Sequence, residues 1–193
     1  MQMAPRELSR LERAALEHHL LALEAEDRRL RFGINLPDQA IREYVSGINF
    51  EHDAVFGIFD DCLNLVAAAH LARCEGHAEL GVSVLPEWRG RGAGAALLAR
   101  SHTHARNWGI RALFMHCLSE NGAMMHLARK QGMRIATEQG ESDAWLALPR
   151  ADASSYAHEL LAERLGLFDF ALKRQLHTAR NIVDALRVKP GTA

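Results

Sequence analysis

Between Val82 and Gly94 the chain reads Val-Ser-Val-Leu-Pro-Glu-Trp-Arg-Gly-Arg-Gly-Ala-Gly, and Ala95-Ala96-Leu97-Leu98-Ala99 follows directly. A strand-like run gives way to a loop with glycine at alternate positions, Gly90, Gly92 and Gly94, and then to an Ala/Leu-rich helix-forming run. Glycines let the backbone come close to a ligand, and successive amides aimed at one point make a nest for an anion. The start of the following helix adds its partial positive charge at the same place. The loop is therefore built for a phosphate or pyrophosphate, with Arg89 and Arg91 as further sources of charge. A loop of the Gly-Lys-Ser/Thr kind is excluded, because Gly94-Ala95-Ala96 has neither the lysine nor the hydroxyl. A dinucleotide fingerprint fits Gly90-x-Gly92-x-x-Ala95 in spacing, but Pro86-Glu87-Trp88-Arg89 separates the glycines from the strand they should follow at once.

Other candidate groups carry less. His102 and His104 stand two apart on a helix-forming run, so they point to different faces and cannot share a metal, and the adjacent His18-His19 fails alike. No metal site is expected. His116 alternates with Phe114 and Leu118, the pattern of a hydrogen-bonded interior histidine. Cys117 has no His-Asp arrangement around it and reads as a small buried thiol rather than an acyl carrier.

The elements around the loop follow from periodicity. Ser9 and Glu12 form a capping box, and Leu11, Ala15, Leu16, Leu20 and Leu23 recur at helical spacing up to the charged run Glu24 to Arg31. Pro37 opens a second helix with Ile41, Tyr44, Val45 and Ile48 as its apolar stripe, ending near Gly47. Val55 to Phe59 and Leu63 to Leu71, joined by Asp60-Asp61-Cys62, make a hairpin, and a further strand from Ala78 to Leu85 stops at Pro86. Beyond the loop come a helix from Ala93 to Asn107, a strand from Ile110 to Cys117 and a short helix from Ala123 to Gln131 closed by Gly132. Met133 to Thr137 and Ala144 to Leu148 form a last hairpin. The fold class is α/β of the α+β type, a mixed and mostly antiparallel sheet flanked by helices, which the hairpins favour over a doubly wound parallel sheet. Pro149 marks a boundary between a main domain, 1–150, and a C-terminal helical extension, 151–193. In the extension Leu161, Leu165, Phe168, Leu172, Leu176, Ala179, Val183 and Leu186 recur at spacings of three and four, giving one long helix or a pair broken at Gly166.

Arg89-Gly90-Arg91-Gly92-Ala93-Gly94 resembles the R/Q-x-x-G-x-G/A signature of the GNAT superfamily of N-acetyltransferases, with Val84-x-Pro86 in front as in that family. Asn121-Gly122-Ala123 through Gln131-Gly132-Met133 is similar to the family's second coenzyme A segment, and the resemblance runs from Ala78 to Leu148. Asp27-Arg28-Arg29-Leu30-Arg31-Phe32 resembles a segment of GNAT domains that acetylate protein lysines. The resemblance implies two central strands splayed into a V, with acetyl-CoA as cosubstrate. The pantetheine arm would pair with Val84 and Leu85, the pyrophosphate would rest on amides of Arg89, Gly90, Arg91, Gly92, Ala93 and Gly94, and Asn121 would meet the arm. Catalysis would be direct attack of a neutral amine in a ternary complex. Glu79 would draw off the amine proton, directly or through water, and the amide of Val84 or Leu85 would polarise the carbonyl. The sequence departs from the family pattern at Ala128, seven residues after Asn121, where many relatives carry a tyrosine that protonates the thiolate. Ser119, His126, a water or part of the tail remain as substitutes.

Composition bounds the partners. In 193 residues, 48% hydrophobic and 24% charged, 23 Lys+Arg oppose 24 Asp+Glu, which excludes a disordered chain and the basic footprint of a nucleic-acid binder. The odd, widely spaced Cys62, Cys74 and Cys117 read as reduced thiols. With no apolar leader in Met1 to Arg10 and no run long enough to span a bilayer, a soluble cytoplasmic protein without membrane contact is expected. Its expected partners are acetyl-CoA, an amine acceptor (a small molecule or a protein lysine) and a second copy paired through the C-terminal helix. The alternative is a non-catalytic acyl-CoA sensor that keeps the loop and has lost transfer.

Overall fold

The computed structural model describes residues 3–187. Its strands are β1 (Arg6–Glu7), β2 (Ala54–Phe59), β3 (Leu65–Arg73), β4 (Ala78–Val84), β5 (Ala112–Leu118), β6 (Arg134–Glu138) and β7 (Glu141–Ala147). They form one sheet in the order β1-β2-β3-β4-β5-β7-β6, antiparallel throughout except for β4 with β5. The helices are α1 (Arg13–Leu21), α2 (Ala25–Phe32), α3 (Asp38–Gly47), α4 (Ala93–Asn107), α5 (Gly122–Lys130) and α6 (Ala153–Arg187). No helix among the described residues is long and apolar enough to cross a membrane.

Strands β2 and β3 read as continuous apolar runs because both of their faces are covered. One face packs Phe56, Ile58, Leu71, Leu80 and Val82 against Leu97, Leu98 and Ala105 of α4. The other packs Val55, Phe59, Leu65 and Ala68 against Leu16 and Leu20 of α1 and Ile41 and Val45 of α3. The frame of the site is the parallel pair. Its register runs Ala78 with Leu113 and Glu79 with Phe114, and goes no further. Beyond Glu79 the two strands part into the V that the family resemblance implied.

Helix α2 roofs that V, and here the structure departs from the sequence reading. The first helix ends at Leu21, just short of the charged run as expected, but after a break at Ala22 to Glu24 that run forms a helix of its own, α2, closed by Gly33 at φ 80°. Arg28 makes the break, its guanidinium donating to the carbonyls of Leu21, Leu23 and Leu36 and pairing with Asp38. The helix is then clamped on both rims of the V. Asp27 pairs with Arg89 at 2.6 Å on one side, and Arg29 pairs with Glu120 at 2.5 Å on the other.

The box at Ser9 and Glu12 forms, but it caps a 3-10 turn, Arg10–Glu12, that leads into α1. His116 is not interior: it is exposed, with Nδ1 2.8 Å from Asp143, because the core face of β5 carries Leu113, Met115 and Cys117. Its apolar neighbour Phe114 is satisfied instead by the ring of Trp145, 4.3 Å away. Within the described residues the tail forms one unbroken helix, α6. Gly166 lets α6 lie directly on the N-terminal segment, where a Cβ would stand 2.6 Å from the carbonyl oxygen of Pro5.

Candidate active site

The glycine loop owes its shape to two backbone positions. Gly90 (φ 70°) and Gly92 (φ 86°) lie in the left-handed region that only glycine adopts without strain. The first intrahelical bond of α4 runs from the Ala96 amide to the Gly92 carbonyl, so the amides of Ala93, Gly94 and Ala95 have no helical acceptor. Gly92, Ala93, Gly94 and Ala95 line a cavity of about 500 Å³ that runs under α2, along β4 at Val82, Ser83 and Val84, to Asn121, Met124 and Leu127 on the far rim.

Strand β4 presents its edge to this cavity. In the antiparallel ladder with β3 the Leu85 amide donates to the Val66 carbonyl, so alternate residues Ser83, Gly81 and Glu79 face β3 as well. The backbone groups of Leu80, Val82 and Val84 point the other way, into the V. Leu85 is therefore corrected: its amide is committed to the sheet, and Val82 and Val84 are the residues with amides on the open edge.

The other sequence-derived site residues divide in the same fashion. Arg89 lines the cavity, but its Nε donates to the Val84 carbonyl at 3.1 Å and its charge is spent on Asp27. Arg91 is exposed, lies 4.9 Å over the Trp88 ring and is outside the lining. Asn121 does two things at once: Oδ1 caps α5 through the Met124 amide at 3.1 Å, and Nδ2 donates to the Leu30 carbonyl of α2 at 3.3 Å. Glu79 lies on the face of β4 that carries α1 to α3, exposed and just where β4 and β5 part, outside the cavity lining. Ser119 is removed from the cavity, with its amide bonded to Gly140. Of the substitutes for the missing tyrosine, His126 lines the cavity. Ala128 is buried in the core.

Sequence reasoning missed the polar groups behind β4. His19 is 1% exposed, with Nδ1 2.9 Å from the Leu65 carbonyl and Nε2 2.8 Å from the Ser83 hydroxyl. A carbonyl only accepts, so Nδ1 carries the proton and Ser83 donates to Nε2. Burial lowers the pKa of this neutral ring to about 4. Alongside it, His70 receives the Tyr44 hydroxyl at Nδ1 (2.6 Å) and donates from Nε2 to Asp53 (3.1 Å). Burial depresses the His70 pKa, although Asp53 works against it. The Tyr44 oxygen in turn accepts from Arg31, a cavity-lining residue of α2. These residues stand far apart in the sequence, with polar types that do not declare burial; only Ser83 lay in the stretch whose pattern pointed to the site.

A splayed parallel pair, a glycine nest at the mouth of the V and the strand amides between them thus border one continuous cavity. The chain belongs to the acetyltransferase (GNAT) family, whose model matches residues 11–133. It is an N-acetyltransferase, with acetyl transfer from acetyl-CoA to an amine as the family's activity. Comparison with curated proteins gives no match. Among solved structures, it is similar to the GNAT domain of S. lividans PAT (TM-score 0.65, 19% identity, covering 75% of this chain and 89% of that one). The ribosomal-protein-S18-alanine N-acetyltransferase of Escherichia coli gives 0.58, 19%, 77% and 94% on the same measures. The spermidine N-acetyltransferase of Vibrio cholerae, solved with CoA and spermine, gives 0.60, 17%, 74% and 94%.

Proposed function

We propose that this chain acetylates a primary amine, on a small molecule or a protein lysine, by direct attack in a ternary complex with acetyl-CoA. The observation that supports the reading is the continuity of one cavity from the amides of Ala93 and Gly94 to the open edge of β4. A nest of unspent amides suits a pyrophosphate, and an unpaired strand edge suits the amides of a pantetheine arm. In this reading the Val82 or Val84 amide polarises the acetyl carbonyl. Glu79, beside the point where β4 and β5 part, takes the proton of the incoming ammonium, directly or through water. Asn121 holds α2 and α5 together at the rim and meets the arm.

A thermal melt with acetyl-CoA beside NAD and ATP tests the cosubstrate. At about a hundred times its dissociation constant a ligand adds roughly 2.7 kcal/mol, which raises the midpoint of a domain this size by roughly 5–10 °C. A shift with acetyl-CoA alone is expected; none at saturating ligand removes the reading. Glu79→Gln then separates an enzyme from an acyl-CoA sensor. Its turnover should fall by about two to four orders of magnitude with acetyl-CoA affinity unchanged, whereas a sensor has no turnover to lose.

A further inference from the structure

We propose that Arg31 is a catalytic residue: its fixed positive charge, at the point where β4 and β5 part, receives the negative charge that acyl transfer places on the carbonyl oxygen and then on sulphur. The inference rests on the acetyl-CoA reading above. Arg31 sits in the last turn of α2, the helix that spans the V. Its guanidinium lies flat on Gly81, where a Cβ would stand 1.9 Å from Nη2 and 2.1 Å from Cζ. Gly81 is two residues beyond Glu79, the last residue of β4 paired to β5. Arg31 also lines the same cavity as the glycine nest, so an arm entering at the nest and following the edge of β4 leads to it.

What separates Arg31 from the other arginines nearby is that its charge is unspent. Arg28 and Arg29 of the same helix and Arg89 at the rim each pair with a carboxylate. Among the described residues Arg31 has no ion pair, a single hydrogen-bond partner in the Tyr44 hydroxyl at 3.2 Å, and a buried Nε with no partner at all. Leaving guanidinium donors unmatched away from water is costly, and such groups are ordinarily paired. The groups that surround it hold it without neutralising it. His19 on α1, Tyr44 on α3 and His70 on β3 are uncharged, and the Asp53 carboxylate lies behind His70 at the far end of the chain of hydrogen bonds. On β4 the carboxylate of this face is Glu79, on α2 Asp27 is taken by Arg89, and on β5 His116 is taken by Asp143. Tyr44, His70 and Asp53 are thus positioning residues for Arg31.

The chemistry needs such a group. The amine lone pair forms the C–N bond as the carbonyl electrons move to oxygen; their return breaks the C–S bond and leaves its electron pair on sulphur. Glu79, having passed the ammonium's first proton to solvent, takes the second proton from nitrogen once the C–N bond has formed; a water relays that proton from the Glu79 carboxyl to the thiolate, giving the amide, CoA and an ionised Glu79. An arginine stays protonated through all of this, so it stabilises both anions with no proton transfer of its own. Arg31 thus steadies the leaving thiolate, while the proton that a tyrosine at position 128 would have given arrives by water.

The test reads the thiol rather than turnover. The affinities of CoA and of dethio-CoA, in which hydrogen replaces the thiol, are measured by calorimetry from pH 6.5 to 9.5 on the full chain. A cation beside sulphur lowers the bound thiol's pKa below that of the free thiol, so CoA should gain on dethio-CoA as pH rises, about tenfold for each unit of lowering. The native protein is expected to show this gain, Arg31→Met to lose it while binding dethio-CoA normally, and Tyr44→Phe to reduce it. A flat ratio in the native protein overturns the inference, as does an equal gain in Arg31→Met. Should Arg31→Met not fold, Tyr44→Phe decides, and an unreduced gain there overturns it too. Failure of either ligand to bind removes the acetyl-CoA reading itself, an outcome distinct from binding with a flat ratio.

Discussion

Arg31 and Gly81 form a matched pair, because the guanidinium occupies the space a side chain at position 81 would fill. The two are separable by substitution, since the atoms that would meet a new Cβ are the far end of a flexible side chain and not backbone. In Gly81→Ala the arginine swings away and the strand keeps its course. Stability should change by no more than about 1 kcal/mol, the usual size of a Gly-to-Ala effect at a compatible backbone position. The pH-dependent preference for CoA over dethio-CoA should nevertheless collapse as it does in Arg31→Met. A large fall in unfolding midpoint with the preference intact would place Arg31 in a purely structural role. The hydrogen bonds behind it run in one chain, from Arg31 through Tyr44 and His70 to Asp53, and leave the Arg31 Nε without a partner.

Among the elements, α6 combines a docked face with an open one. Its docked side is polar as well as apolar. Glu159 and Glu163 meet the buried Arg100 of α4, Lys173 donates to the Phe59 carbonyl, and Phe170 packs on the Phe59 ring. Deleting the helix would strand a buried arginine, so self-association is better probed on its surface. Leu161, Leu165, Phe168, Leu172, Leu176, Val183 and Leu186 remain exposed, a stripe whose spacing suits an antiparallel pair with a second copy. Light scattering of the full chain should then give twice the chain mass, and Leu176→Glu with Val183→Glu should halve it; a monomeric native chain removes the dimer. The stripe was legible in the sequence, as were the glycine loop and β2 to β5, because each rests on a long period or a turn signal. Three things were not. A two-residue β1 is too short to show a period, α2 is mostly charged with its face set by ion pairs to Arg89 and Glu120, and the polar chain behind β4 is assembled across the sheet. The Leu85 reading failed for a related reason: residue type does not reveal which side of a strand its amide faces.

Acid stability joins these parts, because two buried histidines behind β4, one of them in the hydrogen-bond chain to Arg31, have pKa values lowered in the fold. His19 is neutral in the fold, its pKa lowered by burial to about 4, while in the unfolded chain it titrates near 6.5. The unfolded chain therefore takes up the proton first, and stability falls as pH drops below 6.5 and levels off near 4, by about 3 kcal/mol at roughly 1.4 kcal/mol for each unit. His70, depressed by its own burial, adds in the same direction. Glu159 does not interfere in this window. Burial would raise its pKa, but hydrogen bonds from His104, Asn107 and Arg100 outweigh that and hold it at about 2, so what it contributes to stability is lost only as pH falls from the ordinary carboxylate range toward that value. Urea unfolding at pH 7.5, 6 and 4.5 should show the decline. His19→Gln should flatten it by close to one proton, at some cost in stability at pH 7.5 where the bond to Leu65 is lost. A slope unchanged in His19→Gln would mean that His19 is protonated in the folded chain, and that the cation at Arg31 has a charged neighbour behind β4 after all.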